Sequence, residues 1–180
     1  ICQCKYRLFY CFFMIKQLLT LCFSIKLMIR RVFKFGGSSI KDIDSIKNIS
    51  NILNSSSESL FIVFSAMGKT TNMLEEVVNS YFSKSGSQMD YLNKVKNYHY
   101  LLMSQLFEED SPIYNMIGNL FLDIELILKT DVSHSYNYYY DQIVSFGEIL
   151  STNILSQYLL DKGFQNQWID ARSIIKTDHS

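Results

Sequence analysis

The chain alternates between short β-branched and aromatic runs and longer stretches where apolar residues recur every three or four positions. Val32, Phe33 and Phe35 make the first short run, which suits a pleated, buried strand. It breaks at Gly36-Gly37, and Ser38-Ser39 opens a helical pattern. That pattern, over Ser39–Leu53, carries Ile40, Ile43, Ile46, Ile49 and Leu53 on one face, with Lys41, Asp44, Lys47 and Asn48 opposite. Ser39, with Asp42 three residues on, approaches a capping box. Residues 54–57 are polar and end the helix. Leu60–Phe64 is a continuous apolar run, as a buried parallel strand requires. Strand, helix and strand over about 30 residues make a βαβ unit.

Beyond residue 64 the pattern is helical. Asn72 with Glu75 begins a helix through Leu74, Val77, Val78 and Tyr81. Tyr91–Leu106 repeats the period through Leu92, Val95, Tyr98, Leu102 and Leu106. Ser111-Pro112 restarts a helix, with the chain's one Pro at its first position. Ile113, Met116, Ile117, Leu120, Ile124 and Ile127 continue it. These two segments read as a helical hairpin inserted between sheet elements, their apolar faces serving as core or partner surface. Asn137–Tyr140 leads into a long helix from about Asp141 to Leu160, interrupted by Gly147. Gly163 closes it, and Gln165–Ile169 reads as a third strand.

Composition changes this picture at one end. The formal charge is zero, with 17 basic and 17 acidic residues. Lys5, Arg7, Lys16 and Lys26 lie in residues 1–27, which hold no acid. The remaining 13 basic residues face all 17 acids over residues 28–180, a net of −4 that argues against a nucleic-acid-binding face. Cys2, Cys4, Cys11 and Cys22 also fall in that first segment. The Cys-free body fits a reducing compartment, the cytoplasm. The first segment has no uncharged run near the ~20 residues that span a bilayer, so no membrane span is expected. Residues 1–27 read as sequence upstream of a start at Met28, the alternatives being a targeting segment or a structural element. Residues 28–180 form the expected domain.

Three places can carry chemistry. Gly36-Gly37, between a strand and a helix start, lets backbone N–H groups approach an anion, with Lys34 at its lip. The Lys precedes the glycines, so this is not a Walker A loop; a turn without a ligand is the alternative. Ser65–Asn72 follows the second strand, where ligands of parallel sheets bind. Side by side with the glycine turn, it offers small residues, hydroxyls and Lys69. Gly147 implies close approach of a backbone or a ligand, and Glu148 beside it suits an ammonium group or plain solvent. His99 and His134 are isolated, without metal-site spacing, and read as solvated or satisfied histidines. No metal site is expected.

K-F-G-G-S-S (Lys34–Ser39), F-S-A-M-G-K-T-T-N (Phe64–Asn72) and Q-I-V-S-F-G-E-I-L-S-T (Gln142–Thr152), followed by W-I-D-A-R-S-I-I-K-T-D, stand in this order. Together they closely resemble aspartate kinases of the amino-acid kinase fold. The resemblance covers about residues 31–178. It implies an α/β fold: a three-layer αβα sandwich with a mostly parallel sheet and a helical hairpin insertion, present here as the N-terminal part. It implies transfer of the γ-phosphoryl of MgATP to the side-chain carboxylate of L-aspartate, giving 4-phospho-L-aspartate, the first step toward lysine, threonine and methionine. Lys34 would neutralise charge on the transferring phosphoryl, a transfer that needs positioning more than covalent chemistry. Backbone N–H groups at Gly36, Gly37 and Ser38 would cradle phosphate oxygens. Ser65, Ala66 and Thr71 would line the aspartate site, and Glu148 would bind the α-ammonium. ATP and Mg2+ are the expected cofactors, L-aspartate the substrate, and a homo-oligomer the expected full-length assembly. Ser38 stands where the family often has Thr, keeping the hydroxyl. The family's later Gly-Arg-Gly-Gly-Ser-Asp segment is not in this sequence, so a truncated, inactive product with at most weak anion binding is the alternative. Carbamate, glutamate and nucleotide kinases share the fold but fit the Phe-Gly-Glu block less well.

Overall fold

The computed structural model describes residues 31–55 and 59–175. The leader with its four cysteines, Ser56 and Ser57 of the first helix end, and residues 176–180 lie outside the described residues. Strand β1 (Arg31–Phe35) is followed by a 3-10 turn at Gly37–Ile40 and helix α1 (Ile43–Asn54). Strand β2 (Leu60–Phe64) lies beside β1 in a two-stranded parallel sheet. Helices α2 (Thr70–Phe82), α3 (Gln88–Leu106), α4 (Ile113–Leu128), α5 (Tyr136–Val144), α6 (Phe146–Asp161) and α7 (Ala171–Ile174) follow. None of the described helices is long and apolar enough to cross a membrane.

The chain divides into two compact units. One holds, among the described residues, 31–33, 59–61 and 169–175. In it the Asp170 carboxylate accepts from the Arg172 N–H at 2.9 Å and pairs with the Arg172 guanidinium at 2.7 Å, opening α7. The other unit holds residues 34–55 and 62–168.

The helices of this second unit bury one stripe each, as their periodicity requires. Ile46, Ile49 and Leu53 of α1 are buried, as are Leu74, Val77, Val78 and Tyr81 of α2. α3 packs on both α2 and α4, with Lys96 of α3 paired to Glu125 of α4. The buried stripe of α4 is Ile113, Ile117, Phe121, Ile124 and Leu128, while Met116 faces outward. α3 buries Leu92, Val95, His99, Leu102 and Met103, so His99 occupies the inward position expected of Tyr98.

Four further expectations change. The first helix begins at Ile43 rather than Ser39, because Asp42 is its N-cap and accepts from the Ser45 N–H at 2.8 Å. The second starts at Thr70, two residues before Asn72. The long helix expected over Asp141–Leu160 is two helices separated at Ser145, and the tyrosine run lies inside α5, capped by Ser135. Residues 165–169 are not a strand. They are exposed, and side-chain bonds hold this stretch to α6 instead of a ladder. Ser156 Oγ donates to Asn166 Oδ1 at 2.6 Å, and the Trp168 indole N–H donates to Thr152 Oγ1 at 2.9 Å. The described residues are therefore mostly helical, with two parallel strands in place of a broad sheet.

Candidate functional site

β1 and β2 end at the same edge, so the loops after them run side by side. The Phe35 carbonyl accepts from the Ser65 N–H at 3.0 Å, and the Phe35 and Phe64 rings stack at 5.3 Å. Two residues on, the Gly37 carbonyl accepts from the Gly68 N–H, also at 3.0 Å. A Cβ at Gly37 would sit 2.5 Å from the Ala66 carbonyl oxygen. The two backbones cross at a distance that any other residue would prevent. Gly68 has φ +52°, in the left-handed region that glycine tolerates best. Lys34 is exposed, with Nζ 3.7 Å from where a Gly36 Cβ would be, directly over the turn. Ser39 donates its N–H to the Gly36 carbonyl at 2.9 Å, and Gly36 caps the 3-10 turn with no side chain. The first N–H groups of such a turn lack intrahelical acceptors.

A third element closes on these loops. A Cβ at Gly147 would lie 3.0 Å from Ala66 Cβ and 3.4 Å from both Leu74 Cδ1 and Thr70 Cγ2. What approaches Gly147 is thus the loop after β2 and the first turns of α2. Glu148 follows it, exposed, in the first turn of α6. Ser65 and Thr71 are half-buried, Ala66 is buried and Ser38 is exposed. Lys34, Gly36, Gly37, Ser65, Ala66, Thr71 and Glu148 therefore belong to one run of adjoining segments, through Gly37–Ala66 and Ala66–Gly147.

Two residues that the sequence does not mark as site residues belong to the same neighbourhood. Ser151, fully buried, accepts from the Met67 N–H at 2.8 Å and donates to the Gly147 carbonyl at 2.6 Å. Its signal was a hydroxyl on an apolar helix face, four residues after Gly147. Tyr98 donates its hydroxyl to the Lys41 carbonyl at 2.8 Å and lies 2.7 Å from where a Gly68 Cβ would be. Burial raises the Tyr98 hydroxyl pKa, with Asp42 adding to the effect. The Asp42 carboxyl itself is held below its ordinary value by its bonds from Ser45. Beside Tyr98, His99 is buried with Nδ1–H donating to the Val95 carbonyl at 2.8 Å. Its Nε2 has no hydrogen-bond partner, and burial pushes its pKa down to about 4.

Among the described residues no group of three or more His, Cys, Asp or Glu side chains is placed to hold a metal ion. A hollow of about 460 Å³ lies at the far end of α2, between Glu76, Asn79, Phe82, Tyr91 and Tyr136, away from the glycines. The candidate site is marked by close backbone approach, not by that hollow. A lysine over a glycine turn, uncapped N–H groups and a carboxylate across the loop suit an anion and an amine held near each other.

Comparison with known proteins gives the family. Residues 30–180 match the family model described as the amino acid kinase family. The chain is 35% identical over 161 residues to aspartokinase 1, chloroplastic, of Arabidopsis thaliana, covering 82% of this chain and 26% of that protein. It is 26% identical over 147 residues to lysine-sensitive aspartokinase 3 of Escherichia coli strain K12, covering 82% of this chain and 32% of that protein. The crystal structure of E. coli aspartokinase III in complex with aspartate and ADP (R-state) superposes with a TM-score of 0.73 at 26% identity, covering 83% of this chain and 33% of that one. The chain thus spans a quarter to a third of the length of these relatives. With the family model matched over residues 30–180, the chain belongs to the amino acid kinase family.

Proposed function

We propose that the intact protein transfers the γ-phosphoryl of ATP to the side-chain carboxylate of L-aspartate. A carboxylate oxygen forms the new bond to γ-phosphorus, the bond from that phosphorus to the β–γ bridging oxygen breaks, and ADP leaves. The observation that carries this reading is the crossing of Gly37 and Ala66, which leaves no room for a Cβ and sets a phosphate-type turn against a small-residue loop. Relatives named aspartokinases and a neighbour solved with aspartate and ADP support the choice of substrates.

In this reading Lys34 neutralises phosphoryl charge, and N–H groups of Gly36, Gly37 and Ser38 receive phosphate oxygens. Ser65, Ala66 and Thr71 wall the aspartate pocket, and Glu148 takes its α-ammonium. A Cβ at Gly36 would meet only Lys34 Nζ, at 3.7 Å, which leaves that backbone open to a triphosphate. Among the described residues no carboxylate cluster is placed for Mg2+, and the ion would enter with ATP and supply charge neutralisation at its phosphates. Residues 28–180 would be the N-terminal part of a three-layer αβα kinase domain, with 1–27 outside it. The whole protein would work in the cytoplasm as a homo-oligomer.

The test is aspartate-dependent ADP release by the protein at its full encoded length. Lys34→Ala is expected to lower kcat about 100- to 1,000-fold, the scale of losing one charge-stabilising donor. Glu148→Ala is expected to raise KM for aspartate about tenfold or more, as loss of a charged contact worth over 1.4 kcal/mol would. Unchanged aspartate saturation in that variant overturns the role of Glu148. Release that does not depend on aspartate overturns the reading.

A further inference from the structure

We infer that Ser151 is a positioning residue that fixes the two walls of the aspartate pocket relative to each other. The inference rests on the aspartate kinase reading above. A serine inside a helix commonly bonds back to the carbonyl four residues earlier. Thr152 and Asn153 do so here, with Thr152 Oγ1 on the Glu148 carbonyl at 2.7 Å and Asn153 Nδ2 on the Ile149 carbonyl at 2.8 Å. Ser151 makes the same bond to Gly147 and then a second one. Its oxygen also accepts from the Met67 N–H, 84 residues away, in an environment where both residues are fully buried.

That second bond joins two different walls. Met67 directly follows Ser65 and Ala66. Gly147, at the other end of the hydroxyl's bonds, directly precedes Glu148. One oxygen therefore ties the loop that offers Ser65 and Ala66 to the helix start that offers Glu148. The contact is adjacent to the Gly147–Ala66 approach, where a Cβ would stand 3.0 Å from Ala66 Cβ. The missing Cβ permits the approach, and the Ser151 hydroxyl holds its register. Without it the Met67 N–H is buried with no acceptor, and such a donor draws the loop toward another partner. A shift of the loop relative to Glu148 changes aspartate binding. The turn at Gly36-Gly37, where ATP phosphates would lie, is bonded to this same loop through Phe35–Ser65 and Gly37–Gly68, so it moves with the loop relative to Glu148 and keeps its own geometry.

The experiment uses the full-length protein with Ser151→Ala and Ser151→Cys, reading kcat, both KM values, Tm and amide exchange at Met67. In Ser151→Ala, KM for aspartate is expected to rise about tenfold, the scale of one lost buried bond. KM for ATP should stay within about twofold of wild type. The Met67 amide should exchange at least about tenfold faster, since its acceptor is gone. Ser151→Cys replaces the oxygen with a somewhat larger sulfur that is a weaker acceptor, and should give an intermediate aspartate KM. If the alanine variant does not fold, the cysteine variant decides. A wild-type aspartate KM in the folded variants, or equal changes in both KM values with a lowered Tm, overturns the inference. A wild-type protein without aspartate turnover fails the kinase reading itself, whereas failure in the variants alone fails only the role of Ser151.

Discussion

The crossing of the two strand-end loops and the α3–α4 hairpin are held by opposite means. At the crossing, Gly37 lies against the Ala66 carbonyl, Gly147 against Ala66, and the fixed points are backbone hydrogen bonds and the Ser151 hydroxyl. Side-chain volume is what must be absent. In the hairpin, Phe121, Ile117, Ile124, Leu92 and Met103 are fully buried, and volume is what must be present. The first region spends stability on close approach of polar backbone, which suits a place where ligand atoms must reach N–H groups. The second provides packing that a site of small residues lacks.

The sharpest test pairs one substitution from each region. Phe121→Ala empties a fully buried aromatic position and is expected to cost about 3–5 kcal/mol by denaturant melting. Gly37→Ala should cost less, about 1–3 kcal/mol, because the loops can part to relieve the 2.5 Å contact. The order reverses for function. In the full-length protein Gly37→Ala should impair turnover more than Phe121→Ala does at a temperature where both are folded. A Phe121→Ala protein that is folded yet loses aspartate turnover to the same degree would break the comparison.

His99 gives the hairpin a pH dependence. Its folded pKa of about 4 lies below the ordinary value of 6.5 because burial penalises the charged ring. Between those values the unfolded chain takes up a proton that the folded chain refuses. Stability from the neutral ring is therefore complete above pH 6.5 and declines as pH falls toward 4, by up to about 3 kcal/mol. His99→Leu should flatten the stability profile across that window, measured by urea melts at several pH values. A variant with the wild-type slope would show that another group carries it.

The two regions were also unequally legible in the sequence. Glycine positions speak directly, since only a few backbone arrangements need them. Gly36-Gly37 after a strand and Gly147 in an apolar helix both implied close approach. Which atoms approach Gly147 was not readable, because Ala66 and Leu74 reach it only through the tertiary fold. In α3 the apolar period was visible but its phase was not. Tyr98 and His99 are neighbours on a 3.6-residue repeat, and packing on Phe121 puts the histidine inside. The stretch at 165–169 looked like a strand through Trp168 and Ile169, yet Gln165, Asn166 and Gln167 give it no apolar face to bury. Its side chains bond to α6 instead.

Tyr98 is where the two regions meet, and it offers the finest test. It belongs to α3 of the hairpin, and its hydroxyl donates to the Lys41 carbonyl just past the 3-10 turn. The same oxygen rests on Gly68, whose N–H bonds Gly37. A hydrogen bond of this kind contributes about 1 kcal/mol. Tyr98→Phe removes it without emptying the space the ring fills, so stability should fall by about that amount in urea melts. If the hairpin serves only as packing, kinetics in the full-length protein will stay at wild type. If Tyr98 steadies the crossing, KM for ATP should rise about two- to fivefold, the scale of a bond worth at most about 1 kcal/mol, while KM for aspartate holds. That split would make the hairpin part of the phosphate side of the site, and its absence would leave the two regions mechanically separate.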